Sequence, residues 1–155
     1  MKGSGLAVAM AGRASPLVAA RTLWRFSRPH TLIVTTTSIF GIYVIAAETL
    51  PGAAVGNGLG DLALTLVAGA LVNLYIVGIN QCEDVEIDRV NKPGLPIPAG
   101  LLSVRAAWWL VTVSGLLALA MALTQGWVET VAVGAALAIG TAYSSPPFRL
   151  KRFPA

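Results

Sequence analysis

Residues 61–88 read DLALTLVAGALVNLYIVGINQCEDVEID. From Asp61 to Gln81 this stretch contains one charged side chain, and its length matches the roughly 20 apolar residues that a helix needs to cross a bilayer. The next residues, Cys82 to Asp88, hold four of the seven acidic residues of the chain. The stretch therefore predicts a membrane-spanning helix that ends in a cluster of carboxylates at one membrane face.

Three other segments of the 155-residue chain are similarly apolar. Apolar residues make up 55% of the sequence and charged residues only 12%, whereas a soluble domain carries about 25% charged residues. None of the segments has the polar face at helical period that a soluble bundle requires. The sequence predicts an all-α fold, a polytopic transmembrane helical bundle with four spans: Thr31 to Leu50, Asp61 to Gln81, Val104 to Thr124 and Trp127 to Ser145.

The 11 Lys and Arg residues occupy alternate connections between these spans. They precede the first span, lie between the second and third or, as Arg105 does, at the start of the third, and follow the fourth, whereas residues 51–60 and 125–126 contain none. The positive-inside rule then places both termini and the long middle loop in the cytoplasm. The net charge of +4 thus indicates topology and a lipid bilayer partner, not nucleic acid. We expect a multi-pass protein of a bacterial inner membrane or a thylakoid-type membrane.

Residues 1–30 are expected to form a cytoplasmic tail followed by an interfacial segment. Trp24, Phe26 and His30 lie just before the first span, where amphipathic rings prefer the headgroup level. The single cysteine, Cys82, excludes an intrachain disulfide framework and a zinc site built from cysteines.

The acidic cluster contains a regular spacing of oxygen-bearing side chains. If the second helix continues through them, Asn80, Asp84 and Asp88 lie within about 80° of one another on one helix face. Such a stripe suits Mg²⁺, which is usually held by one or two carboxylates plus substrate phosphates. The alternative is that these acids are solvated loop residues. Asn73 falls almost on the same line, deeper in the membrane, where an interhelical hydrogen bond is the alternative to a binding role.

Basic residues are placed on the same membrane side as the acids. Arg89 and Lys92 lie at the start of a loop whose prolines and glycines prevent a regular helix. Tyr143 lies in the last turn of the fourth span, Pro146 and Pro147 follow its end at Ser145, and three bases come next: Arg149, Lys151 and Arg152. Bases beside a bound cation indicate a polyanion such as diphosphate. Simple membrane anchoring explains the same composition.

The combined motifs resemble the homogentisate prenyltransferase branch of the UbiA superfamily. The resemblance rests on FSRPHT at 26–31, NQCEDVEID at 80–88, VNKP at 90–93 and YSSPPFRLKR at 143–152. Leu95 stands where many members of the superfamily have an arginine, and this departure favours the homogentisate branch over enzymes of the chlorophyll or ubiquinone type.

The resemblance implies nine transmembrane helices and two aspartate-rich motifs that hold Mg²⁺ and an isoprenoid diphosphate. Residues 31–155 would then be a transmembrane prenyltransferase domain that is incomplete at its carboxy end, an amino-terminal fragment. Asp84 and Asp88 would be catalytic and, with Asn80, would bind the metal. The implied substrate-binding residues are Arg28, Asn73, Arg89, Lys92, Tyr143, Lys151 and Arg152.

The implied reaction transfers an isoprenoid chain from its diphosphate to an aromatic acceptor, homogentisate, in biosynthesis of the tocopherol and plastoquinone type. Two alternatives are a prenyltransferase of the chlorophyll or quinone branch and a non-catalytic four-helix membrane carrier or assembly subunit. A carrier predicts charged residues near the bilayer midplane, whereas the predicted spans place them at one face.

Overall fold

The computed structural model describes residues 15–49 and 58–152. These residues form six α-helices and one 3₁₀-helix, and no strand occurs among them. The α-helices are α1 (Pro16–Phe26), α2 (Pro29–Thr49), α3 (Leu59–Glu83), α4 (Val85–Asn91), α5 (Val104–Gln125) and α6 (Trp127–Ser144), and the 3₁₀-helix is Leu150–Arg152.

Three of these helices, α2, α3 and α5, are long and apolar enough to cross a membrane. They confirm the predicted all-α membrane bundle, with bounds within two residues of the predicted ones wherever the structure describes them. The predicted end of the first span, Leu50, lies outside the described residues. The fourth predicted span is present as α6, which has 18 residues and is not among the three. A count of four spans therefore stays a prediction.

Helix α3 lies at the centre of the bundle and packs against α2, α5 and α6. Glycines on the neighbouring helices permit this close approach. A Cβ added to Gly115 of α5 would lie 2.7 Å from the Tyr75 ring, and one added to Gly140 of α6 would lie 2.6 Å from Ile76. Small residues at helix interfaces are typical of membrane bundles, because lipid supplies no hydrophobic force that drives two helices together.

The amino-terminal helix α1 was not predicted from the sequence. Ser15 caps it by accepting a hydrogen bond from the Val18 backbone N–H, and Pro16 occupies its first turn. At its other end Phe26 is fully buried in the main hydrophobic cluster. The side-chain amide of Gln81 donates to the Phe26 carbonyl at 2.8 Å. Helix α3 thereby fixes the segment that leads into the first span.

The stripe of Asn80, Asp84 and Asp88 does not lie on one continuous helix. Helix α3 ends at Glu83, Asp84 has φ −105° and ψ 17°, and α4 begins at Val85. Nevertheless the backbone N–H of Asp84 donates to the Asn80 carbonyl at 3.1 Å, and that of Asp88 donates to the Asp84 carbonyl at 2.7 Å. Asp84 therefore closes the last turn of α3 with its N–H and opens the first turn of α4 with its carbonyl.

Charged residues lie close to the ends of the membrane helices. Among the described residues, α2 carries Glu48, α3 carries Asp61 and Glu83, α5 carries Arg105, and α6 carries Glu129. None of these residues is near the middle of its helix. Charged residues at helix ends fit a site at the membrane face, whereas an ion path through the bilayer needs them near the middle of the helices.

Candidate functional site at one membrane face

Asp84 lies in a cluster of opposite charges where α3 ends. Its Oδ2 atom is 2.6 Å from Lys151 Nζ, and its Oδ1 atom is 3.5 Å from Arg149 Nη2. The three side chains are 14% to 17% exposed. Charges this far removed from water interact more strongly than surface pairs, because the surrounding dielectric constant is lower.

The end of α6 explains how the two bases reach Asp84. The helix stops at Ser144, and Pro146 and Pro147 follow, as the sequence predicted. The Arg149 backbone N–H donates to the Ser145 carbonyl at 2.9 Å and closes a turn. The 3₁₀-helix that begins at Leu150 then carries Lys151 back toward α3.

Asp88 lies one helical turn beyond Asp84 and is 4% exposed. Its Oδ1 atom is 3.8 Å from Lys92 Nζ, whereas its Oδ2 atom is buried and has no hydrogen-bond partner among the described residues. On the other side of Asp84, Asn80 Nδ2 lies 3.5 Å from Ser144 Oγ. An unpartnered buried carboxylate oxygen is costly unless a ligand satisfies it.

Two arginines combine an unusual backbone conformation with unsatisfied side-chain nitrogens. In the part of the chain that the structure describes, only Arg28 (φ 49°) and Arg149 (φ 41°) are non-glycine residues with positive φ. Arg28 Nη2 and Arg149 Nε are also buried without a hydrogen-bond partner there. Strained backbone is often found at binding sites, and these nitrogens are donors that an anion could satisfy.

The remaining predicted site residues have different surroundings. Asn73 Nδ2 donates to the Ser27 carbonyl at 3.1 Å. The side chain thus makes a hydrogen bond within the protein, which the sequence offered as the alternative to a binding role. Arg89 pairs with the exposed Glu86 at 2.7 Å, outside the buried cluster. Tyr143 is 48% exposed, and Arg152 is exposed as well. The binding roles predicted for these residues stay predictions.

Arg149 was not among the predicted binding residues, although it stands in the quoted motif. Its Nη2 atom bonds the Glu83 carbonyl at 3.0 Å as well as approaching Asp84. It therefore covers one of the carbonyls that the end of α3 leaves without an intrahelical partner. Its position two residues before Lys151 is the feature of the sequence that indicates a shared role. The sequence does not show that a turn brings both residues to one carboxylate.

An apolar cavity of about 290 Å³ opens between α2, α3 and α6. Its wall includes Ile39, Val72, Ile76 and Val133, and Asn73 lies in it. Asn73 is seven residues before Asn80, which is two helical turns, so the cavity lies along the α3 face that leads to the acids.

The donor set at this face is suited to Mg²⁺. No group of three His, Cys, Asp or Glu residues arranged to hold a metal occurs within residues 15–49 and 58–152. However, Mg²⁺ sites that also bind phosphates commonly use only one or two carboxylates. Asp84 and Asp88 supply two, Asn80 adds an amide oxygen, and the unpartnered Oδ2 atom of Asp88 is available to a cation.

The fold and this site together define a multi-pass membrane protein with buried acids and bases at one end of its central helix and an apolar cavity farther along that helix. The chain belongs to the UbiA prenyltransferase family, whose profile matches residues 31–155. The match confirms the family resemblance of the sequence motifs.

Several curated relatives are prenyltransferases by name. The chain is 48% identical to a homogentisate phytyltransferase of Synechocystis over 86% of its own length and 44% of that protein. It is 42% identical to a homogentisate solanesyltransferase of Arabidopsis thaliana over 84% of its length and 34% of that protein. A probable homogentisate phytyltransferase 2 of rice is 41% identical over 93% of the chain and 40% of that protein.

The chain thus spans less than half the length of the curated relatives it matches. No solved structure matches it.

Proposed function

We propose that this protein transfers an isoprenoid chain from its diphosphate to the aromatic ring of homogentisate. The observation that carries the proposal is the position of Asp84 between Lys151 and Arg149, in a buried charge cluster at the carboxyl end of α3. The names of the relatives support the choice of substrates.

The buried cluster is suited to an exchange of partners when a diphosphate binds. Without a ligand, Lys151 and Arg149 balance the charge of Asp84. A diphosphate carries more negative charge than a single carboxylate, so the two bases gain by contacting it. The unpartnered Nε atom of Arg149 provides a further donor without loss of an existing bond.

Asp84, Asp88 and Asn80 are the residues that would hold Mg²⁺. When bound, the ion supplies positive charge against the leaving diphosphate, a contribution typically worth several kcal/mol. Asp88 is suited to this role because one of its buried oxygens has no partner within the described ranges. Arg149 and Lys151 supply the remaining positive charge, and Arg152 adds to the potential from the same 3₁₀-helix.

The chemistry is an electrophilic aromatic substitution. The allylic C–O bond breaks with both electrons leaving on the diphosphate, and the ring attacks the allylic carbocation. The attacked ring carbon then loses its proton and the ring regains aromaticity, while the acetate side chain loses CO₂ and takes up a proton to become a methyl group. The bases stabilise charge where it develops on the leaving group. The apolar cavity beside Asn73 houses part of the prenyl chain and keeps water away from the cation.

The protein is a multi-pass membrane protein, and we propose that the charged face lies in the cytoplasm or its organelle equivalent. The bases at this face support that orientation. The end positions of the charged residues argue against the carrier alternative, since an ion path needs such groups near the bilayer midplane.

An acceptor assay tests the proposal. Membranes from cells that express the native gene are incubated with Mg²⁺, phytyl or solanesyl diphosphate and one of three acceptors: homogentisate, 4-hydroxybenzoate or chlorophyllide. Mass spectrometry should find a prenylated, decarboxylated product from homogentisate. A product from either of the other acceptors alone would assign the protein to another branch. No product from any acceptor, with the protein present in the membranes, would favour the carrier.

A further inference from the structure

The apolar cavity between α2, α3 and α6 has a polar end at the membrane face opposite Asp84. Thr65, Gln125 and Glu129 line this end. Thr65 lies in the second turn of α3, Gln125 is the last residue of α5, and Glu129 lies in the first turn of α6. The ends of three helices therefore meet here, whereas Asp84 lies just beyond the other end of α3.

Contacts between these helices close the polar end. The Thr65 hydroxyl bonds Gln125 Oε1 at 2.9 Å and links α3 to α5. Glu129 adds a carboxylate beside this pair, and all three residues are partly buried. An apolar chain that passed this end would have to break the hydrogen bond and displace water from the carboxylate, and both changes are costly. The polar end is therefore a barrier to an apolar ligand that extends along the cavity.

The distance from the acids to the polar end corresponds to a particular length of prenyl chain. Asp84 and Thr65 are separated by about 28 Å along the helix axis, at about 1.5 Å per residue. An extended chain of single bonds gains about 1.3 Å per bond, as the protein backbone does, so the four isoprene units of a phytyl chain reach about 20 Å and the nine of a solanesyl chain about 45 Å. With the diphosphate at Asp84, the phytyl chain fits within this distance and the solanesyl chain does not.

We propose that the polar end formed by Thr65, Gln125 and Glu129 limits the prenyl donor to chains of phytyl length. This limit rests on the proposed prenyl transfer, for which it names the donor class. Homogentisate phytyltransferase and homogentisate solanesyltransferase, both names of relatives of this chain, differ in the length of the prenyl group. The three side chains determine specificity only, because they lie at the opposite end of α3 from the acids that bind the diphosphate.

Competition between two donors tests the limit. Membranes from cells that express the native gene receive homogentisate, Mg²⁺ and equal amounts of phytyl and solanesyl diphosphate, and mass spectrometry at low conversion gives the ratio of the two kcat/KM values. Wild type should favour the phytyl donor by at least about tenfold. Gln125→Ala removes the hydrogen bond and opens the polar end, so the ratio should fall by about tenfold. The control is Thr124→Ala, at an exposed neighbour that does not line the cavity.

A filling substitution tests the limit in the other direction. Ala136 lines the cavity one turn before Gly140, which packs on Ile76, so a phenylalanine there would block the cavity nearer to Asp84. We expect Ala136→Phe to lower phytyl transfer by at least about tenfold relative to transfer from geranyl diphosphate. The two isoprene units of a geranyl chain reach only about 10 Å. Ala135→Phe, at an exposed position outside the cavity lining, is the control.

The outcomes separate the length limit from the proposed reaction. Equal use of both donors by wild type would overturn the limit and leave prenyl transfer to homogentisate intact. The same conclusion follows if Gln125→Ala matches Thr124→Ala, or if Ala136→Phe matches Ala135→Phe. Absence of product from every donor, with the protein present in the membranes, would instead overturn the proposed function and the limit with it.

Discussion

Lys151 Nζ lies 2.6 Å from Asp84 Oδ2, although the two residues are 67 positions apart in the chain. The contact joins the carboxyl end of α3 to the segment that follows α6. Both side chains are 14% exposed, so each lies in surroundings where an unbalanced charge is costly. The pair therefore links the stability of this region to its proposed role in diphosphate binding.

A double-mutant cycle should detect this link. We expect Asp84→Asn and Lys151→Gln to be coupled by more than about 1 kcal/mol in thermal unfolding of the purified chain, because each single change leaves the other charge with less compensation. The exposed pair Glu86 and Arg89, at a similar distance of 2.7 Å, is the control. Its coupling should stay below about 0.5 kcal/mol, as for exposed pairs on one helix. Equal couplings would show that burial does not strengthen the Asp84 pair.

Diphosphate binding should depend on Asp84 and Asp88 but only weakly on Glu86. We expect Asp84→Asn and Asp88→Asn to abolish Mg²⁺-dependent binding of an isoprenoid diphosphate, measured by calorimetry on membranes or protein from cells that express the native gene. Glu86→Gln should be mild, since Glu86 is 81% exposed and pairs with Arg89. Equal losses in all three variants would contradict a site on the face of Asp84 and Asp88.

Removal of Mg²⁺ should reveal the contribution of Lys151 to diphosphate binding. With a chelator present, wild type should bind diphosphate weakly through its bases alone, and Lys151→Gln should remove that residual binding. The variant Arg105→Gln, which changes the same charge at the start of α5, is the control. Residual binding that is the same in wild type and Lys151→Gln would separate Lys151 from the diphosphate.

Two glycines of α6 should differ in their tolerance of alanine. A Cβ at Gly140 would lie 2.6 Å from Ile76, whereas nothing lies within 4 Å of one at Gly134. We expect Gly140→Ala to destabilise the chain by about 1–3 kcal/mol through overpacking, and Gly134→Ala to leave its stability unchanged or slightly raised. Thermal unfolding in one detergent measures both. A harmless Gly140→Ala would mean that α3 and α6 pack less closely than described.

The distribution of Lys and Arg residues predicts the orientation of the chain in the membrane. Reporter fusions at Gly56 and Asn91 should give opposite signals, with Asn91 on the cytoplasmic side, because residues 51–60 contain no base whereas residues 82–103 contain two, Arg89 and Lys92. Identical signals from the two positions would contradict the assignment of one span between them.

Local sequence features predicted the membrane helices well. Long apolar segments such as 61–81 can satisfy their backbone groups in lipid only as helices, so composition and length were sufficient. Pro146 and Pro147 likewise indicated the end of α6 correctly, since a proline disfavours helical conformation in the preceding residue. The helix α1 was missed although Ser15 and Pro16 form a typical helix start, because its 11 residues are about half the length that marks a membrane span.

The candidate site was predicted only in part because its contacts cross the chain. The spacing of Asp84 and Asp88 is a local pattern, and the Asp88 backbone N–H donates to the Asp84 carbonyl one turn before it. Arg149 Nη2 bonds the Glu83 carbonyl where the helix breaks, and no local pattern indicates a contact between residues 66 positions apart. For the same reason the sequence did not show that Asn73 bonds the Ser27 carbonyl.

The most direct test of the account is prenyl transfer to homogentisate by membranes that contain either wild type, Asp84→Asn or Glu86→Gln, expressed from the native gene at equal levels. Product formation from labelled isoprenoid diphosphate is measured at saturating Mg²⁺. The account predicts product with wild type and Glu86→Gln, and a loss of at least about 100-fold with Asp84→Asn, because that change removes a carboxylate proposed to hold positive charge against the leaving group. Activity of Asp84→Asn equal to that of Glu86→Gln would contradict it.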